Sequence, residues 1–158
     1  MTVVGKTKIL ILSRNEIINY INTYNDLSNI AFISINDTTG PYSESPLKDI
    51  NNISKLILHF DDVIEDNQQS PTTGINSTRS FRSDQAKQII QFIEDNKNKN
   101  YIIHCVAGIS RSGAVGTFIS NYLDNVDYDF FKKYNTRIAP NIFILSTLIN
   151  TSLKKDEY

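Results

Sequence analysis

The sequence predicts an α/β fold: a mainly parallel central sheet flanked by helices on both faces, built as a single domain over residues 1–158. Three observations predict it. Short apolar runs, such as Ile9-Leu10-Ile11-Leu12 and Tyr101-Ile102-Ile103, read as buried strands. Stretches with helical spacing of apolar residues alternate with those runs along the chain. The chain has 158 residues, 40% of them hydrophobic, and a formal net charge of −1, which suits one globule with a substantial core.

Each element follows from local signals. After the strand Ile9 to Leu12, Ser13-x-x-Glu16 is a capping box, opening a helix whose apolar stripe is Ile17, Ile18, Ile21 and Tyr24. Ala31 to Ile35 is the second strand, ended by the turn-rich loop from Asn36 to Pro41, and Lys55 to Phe60 is the third. The polar segment from Asp61 to Ser83 has neither period. Ser83 is expected to cap the next helix, with Ala86, Ile89, Ile90 and Ile93 facing inward. Tyr101 to His104 is the last strand, and Arg111 to Leu123 the helix after it. Two further helices are expected near Tyr128–Tyr134 and Pro140–Leu153, with Pro140 in a first helical turn. His59 reads as a strand residue, and Phe130, Phe131 and Phe143 as core or helix-packing residues. In such a sheet functional residues lie at the carboxyl ends of strands, where Cys105, Asp61 and Asp62 fall.

The segment from His104 to Ser112 holds the only cysteine. A strand, a tight loop and a helix in that order put the Cys105 sulfur at the bottom of a ring of backbone N–H groups. These belong to Val106, Ala107, Gly108, Ile109, Ser110 and Arg111, and the helix adds its positive end. The ring is the size of one tetrahedral oxyanion. Gly108 supplies a residue without Cβ where the chain bends, and the planar fork of Arg111 can hold two phosphoryl oxygens at once. A positive field of this kind favours a thiolate, the reactive form of cysteine. Ser112 is placed to donate a hydrogen bond to the sulfur, and His104 to orient the loop rather than act as a base.

His-Cys-x-x-Gly-x-x-Arg-Ser, here HCVAGISRS, closely resembles the phosphate-binding signature of the cysteine-based protein tyrosine phosphatases, and is most similar to their dual-specificity branch. Arg137-Ile138-Ala139-Pro140-Asn141-Ile142-Phe143 resembles the R-x-[AS]-P-N-x-x-F element at the start of that family's last helix. The resemblance implies hydrolysis of phosphate monoesters on phosphotyrosine proteins, and on phosphoserine or phosphothreonine proteins, through a cysteinyl-phosphate. Three alternatives stand beside it: a phosphoinositide phosphatase, an RNA 5′-end phosphatase, and a catalytically silent phosphate-binding module. The loop has no lysine between Val106 and Ser110, which speaks against highly phosphorylated substrates. The absence of tryptophan favours the compact dual-specificity type over the larger tyrosine-specific one.

The resemblance also assigns Asn141 a supporting hydrogen-bonding role, pairs Arg137 with a carboxylate, and implies a general acid just past a strand. Aligned with the family's strand-then-aspartate pattern, Leu58-His59-Phe60-Asp61-Asp62 favours Asp62 as the acid, with Asp61 the alternative. Side chains alternate direction near a strand end, so only one of the pair is expected to face the pocket, and Glu65, Asp66 and Asp84 follow behind. The chain departs from the family by carrying more residues between acid and cysteine, the excess lying in the loop at 67–82. Arg79 and Arg82 flank Phe81 there. They read as solvated arginines beside a helix-anchoring phenylalanine, or as a grip on a phosphorylated partner.

Composition sets the remaining expectations. The near-neutral charge gives no reason to expect nucleic acid or a membrane as partner and does not address oligomeric state, while the resemblance implies a phosphorylated protein as substrate. One cysteine excludes an internal disulfide and fits a reducing, cytoplasmic location. No secretory signal is expected, since only four apolar residues separate Lys8 from Ser13. No cofactor is implied, and no His/Cys/carboxylate spacing offers a metal site.

Overall fold

The computed structural model describes residues 2–3, 5–64 and 79–154. Its strands are β1 (Thr2–Val3), β2 (Lys8–Leu12), β3 (Ile30–Asn36), β4 (Ser54–His59) and β5 (Asn100–His104), joined in the order β1-β2-β5-β3-β4. β2, β5, β3 and β4 run parallel, and β1 pairs antiparallel with β2. Two residues are too short to show a period, so β1 carries no signal in the sequence.

Alternation along the strands sends side chains to two cores. Ile9, Ile11, Ala31, Ile33, Ile35, Tyr101 and Ile103 face the larger one. It is covered by α2 (Ser83–Asp95), α3 (Arg111–Asp124), α4 (Tyr128–Tyr134) and α5 (Ile142–Leu153). Leu12, Ile30, Phe32 and Ile102 face the other side, under Ile17 of α1 (Arg14–Thr23) and Leu47 of the β3–β4 connection. β3, central and covered on both faces, is buried along its whole length. The expected sheet with helices on both faces is therefore the one observed.

Local details correct several expectations. The Ser13–Glu16 box forms as read, Ser13 N–H donating to Glu16 Oε1 at 2.9 Å and Glu16 N–H to Ser13 Oγ at 3.1 Å. In α1, however, only Ile17 is fully buried; Ile18 is at the surface and Tyr24 lies exposed beyond the helix end. Ser83 is not the cap of α2 but its first residue. Arg82 is the N-cap, and Gln85 secures it by accepting from the Arg82 N–H at 3.1 Å while donating to the His59 carbonyl at 2.9 Å. Pro140 likewise precedes α5, which Asn141 caps. Phe130 is exposed against Tyr134 while Phe131 is buried, because neighbours on a helix point about 100° apart. Among the described residues, no helix is long and apolar enough to cross a membrane.

The register aligns the strand ends. Leu12 and Ser34 both lie opposite His104, and Asn36 lies opposite His59. Ser13, Asp37, Asp61, Asp62 and Cys105 therefore emerge along one edge of the sheet.

Candidate active site at the carboxyl edge of the sheet

Backbone bonds turn the loop after β5 into a cradle. The Cys105 N–H reaches the Leu12 carbonyl at 3.3 Å, fastening the loop to the end of β2. Arg14 N–H donates to Val106 O at 3.0 Å, Ala139 N–H to Ile109 O at 3.0 Å, and Asn141 N–H to Ser110 O at 3.1 Å. These carbonyls point outward into neighbouring elements. A trans peptide is planar with its N–H opposite its C=O, so the N–H groups of Ala107, Ser110 and Arg111 point the other way, into the loop. They have no partner among the described residues, and with the start of α3 they leave a set of donors whose chemistry suits an anion. Gly108 adopts φ +72°, and a Cβ there would sit 2.6 Å from the Ser13 nitrogen, so only glycine fits. Its own N–H donates to Cys105 Sγ at 3.2 Å.

The sulfur lies on the floor of this cradle. Cys105 is a free cysteine with 2% of its surface exposed, and Ser112 Oγ is 3.0 Å from Sγ. Behind it, His104 Nδ1 contacts the Cys105 carbonyl at 3.2 Å and Nε2 contacts Ser34 Oγ at 2.6 Å. Burial pushes the His104 imidazole down to about 4; the Cys105 carbonyl bond opposes this, and the Arg14 and Arg111 charges reinforce it. The ring is thus neutral at neutral pH, and the carbonyl fixes its proton on Nδ1. Nε2 then accepts from Ser34, which in turn accepts from Ser45 at 2.6 Å.

That histidine makes stability depend on pH. Its folded value lies below the ordinary 6.5, so the unfolded chain binds the extra proton first as pH falls. The contribution is whole above about 6.5 and is lost progressively toward about 4, amounting to roughly 3 kcal/mol. Urea midpoints of the parent are expected to fall across that window, and His104→Asn to flatten the fall.

Arg111 is held from behind. Its Nη1 donates to Asp37 Oδ1 at 2.7 Å and to the Phe60 carbonyl at 2.9 Å, and the residue is 7% exposed. No other side-chain nitrogen of Arg111 is bonded among the described residues, so Nε and Nη2 remain available to an anion.

The two aspartates after β4 are sorted by their partners. Asp61 accepts from Thr38 N–H at 2.9 Å, from Thr38 Oγ1 at 3.0 Å and from Arg79 Nε. Burial opposes its ionisation, but those donors outweigh burial and hold the carboxyl below its ordinary range. Asp61 is therefore a committed structural anion. Asp62 is exposed and turned to the loop: its Oδ1 accepts from Ser110 Oγ at 2.9 Å and from Asn141 Nδ2 at 2.7 Å. Its Oδ2 has no partner among the described residues. Asn141 also donates to Val63 O at 3.0 Å, while its Oδ1 accepts from Ile144 N–H at 3.0 Å and caps α5.

Other expectations resolve in the same way. Arg137 pairs with Glu16 at 2.9 Å and donates to the Ile11 carbonyl at 2.9 Å. Phe81 is buried against Phe60, with ring centroids 4.7 Å apart. Arg79 and Arg82 are not simply solvated, since they pair with Asp61 and Asp84, which removes Asp84 from the site as well. Glu65, Asp66 and residues 67–78 of the expected loop lie outside the described residues. The sequence reading passed over Asp37 and the Ser34–Ser45 relay. The signal for Asp37 was its place at a strand end, the feature that singled out Asp61 and Asp62.

No family model and no curated protein matches the sequence. Solved structures do match in fold. Tk-PTP in its active form is 16% identical with a TM-score of 0.56, over 98% of this chain and 99% of that one. PTPMT1 in complex with PI(5)P is 12% identical with a TM-score of 0.54, over 99% of this chain and 96% of that one. A human tyrosine phosphatase-like serine/threonine/tyrosine-interacting protein is 17% identical with a TM-score of 0.52, over 80% of this chain and 79% of its own. The chain thus has the fold shared by cysteine-based tyrosine and dual-specificity phosphatase-like proteins.

Proposed function

We propose that the protein hydrolyses phosphate monoesters of phosphotyrosine proteins, and of phosphoserine or phosphothreonine proteins, through a cysteinyl-phosphate intermediate. One observation carries this reading: inward amides and a buried guanidinium surround a single sulfur, with an exposed carboxylate at the rim. In the first step the Cys105 sulfur forms a bond to phosphorus. The bond to the leaving oxygen breaks, and Asp62 gives that oxygen its proton. The amides of Ala107, Ser110 and Arg111 and the Arg111 fork hold the equatorial oxygens as charge moves from one axial atom to the other, while the Gly108 amide stays on the sulfur. Ser112 steadies the sulfur in both directions. In the second step a water gives a proton to Asp62 and attacks phosphorus, the S–P bond breaks, and inorganic phosphate departs. No step calls on a metal.

A phosphoinositide remains the second reading, supported by the likeness to PTPMT1 in complex with PI(5)P. Against it, residues 106–110 bring no cation for a second phosphate. The single cysteine fits a reducing, cytoplasmic compartment, where a working thiol survives.

Asp62→Asn tests the scheme. It is expected to lower kcat on phenyl phosphate by about 10²-fold or more, and less on p-nitrophenyl phosphate, whose leaving group departs without help. Equal effects on the two substrates would remove Asp62 from the acid role, and absence of any turnover by the parent would favour the silent module.

A further inference from the structure

We infer that the groove beside Asp62 receives an apolar residue adjoining the phosphorylated side chain, so that the preferred substrate is a phosphotyrosine segment with apolar neighbours. The inference rests on the phosphatase reading above and gives it a substrate class. The groove has a volume of about 610 Å³, and Asp62 and Ser110 are among the residues that line it. Ile64, Pro140, Ile142 and Phe143 make its apolar walls.

Its position names the occupant. An acid must touch the leaving oxygen to protonate it, and the body of the leaving group lies just beyond that oxygen. Asp62 reaches the loop through Ser110, so a substrate seated in the cradle passes the mouth of this groove. The occupant is then the substrate itself.

Its chemistry names the class. Ile64 is 67% exposed and Ile142 69% exposed. Large apolar side chains left in water are hydrated unfavourably until something covers them. Asp62 is the only charged residue among the lining residues described. A second phosphate or an acidic side chain would find no cation among those residues. An aromatic ring followed by an aliphatic residue would lose only water.

Two phosphotyrosine peptides test this, identical except that leucine flanks the phosphotyrosine in one and glutamate in the other. The proteins compared are the parent, Ile142→Gln, and the double variant Ile64→Gln/Ile142→Gln; both positions are exposed and take no part in the chemistry. The parent is expected to favour the leucine peptide by about tenfold in kcat/KM. The double variant is expected to lose most of that preference and to keep the parent's kcat on p-nitrophenyl phosphate. The same peptides titrated against Cys105→Ser should show the preference in Kd, a readout that does not need turnover. Equal handling of the peptides would overturn the inference. So would a preference that survives in the double variant, or faster hydrolysis of a phosphoinositide in phosphatidylcholine vesicles than of the leucine peptide. Failure of the parent on p-nitrophenyl phosphate would sink the phosphatase reading instead, leaving the peptide Kd values to decide the groove.

Discussion

Cys105→Ser is expected to lower hydrolysis of p-nitrophenyl phosphate by at least about 10⁴-fold while leaving tungstate affinity within a few-fold of the parent. The two side chains differ by one atom, and the Ser112 hydroxyl and Gly108 N–H that contact the sulfur can contact an oxygen equally well. The anion cradle is therefore retained. The chemistry is not, because a serine hydroxyl attacks only when a base takes its proton, and the imidazole next to it in the chain is committed elsewhere. His104 is neutral, but Nδ1 is committed to the Cys105 carbonyl and Nε2 to Ser34. Steady-state kinetics and calorimetric titration check the two halves. Substantial residual turnover would remove Cys105 from the nucleophile's role, and loss of tungstate binding would show that the variant had collapsed the loop.

Arg111→Lys is expected to cost about 10³-fold in kcat/KM and, unlike the serine variant, to weaken tungstate binding as well. Arginine is divided here between two tasks. Nη1 is spent on Asp37 and the Phe60 carbonyl, and the rest of the fork has no partner among the described residues and is left for the anion of the proposed reaction. A lysine ammonium is one compact charge. Seated on Asp37, it leaves the phosphoryl oxygens; drawn toward them, it strands a carboxylate and a carbonyl. A variant that kept parental kcat/KM and tungstate affinity would show that charge alone, without the fork, suffices at this position.

The legible part of the fold was the part encoded locally. Apolar strand runs, the Ser13–Glu16 box and the inward face of α2 are each written within a dozen residues, and they appear where the sequence placed them. Errors fell where long-range packing decides. Whether Ile18 and Phe130 are covered depends on elements their own helices do not specify. Gln85 takes over the start of α2 because it also reaches the His59 carbonyl, a partner 26 positions away. The loop from Cys105 to Arg111 was legible because a strand end, a glycine at a tight bend and a helix start follow one another within a few residues. The partners behind it were not. Asp37 reaches Arg111 across 74 positions and Ser34 reaches His104 across 70, contacts made only when parallel strands align their ends.

Asn141 serves two masters with one amide: its oxygen begins α5 and its nitrogen steadies Asp62. The last helix and Asp62 are therefore hinged on a single planar group, and neither can be re-seated without tugging the other. An aspartate would still start the helix well but would set two carboxylates face to face, and a glutamine would displace the hinge by a methylene. Only a side chain that gives and takes at this length satisfies both ends.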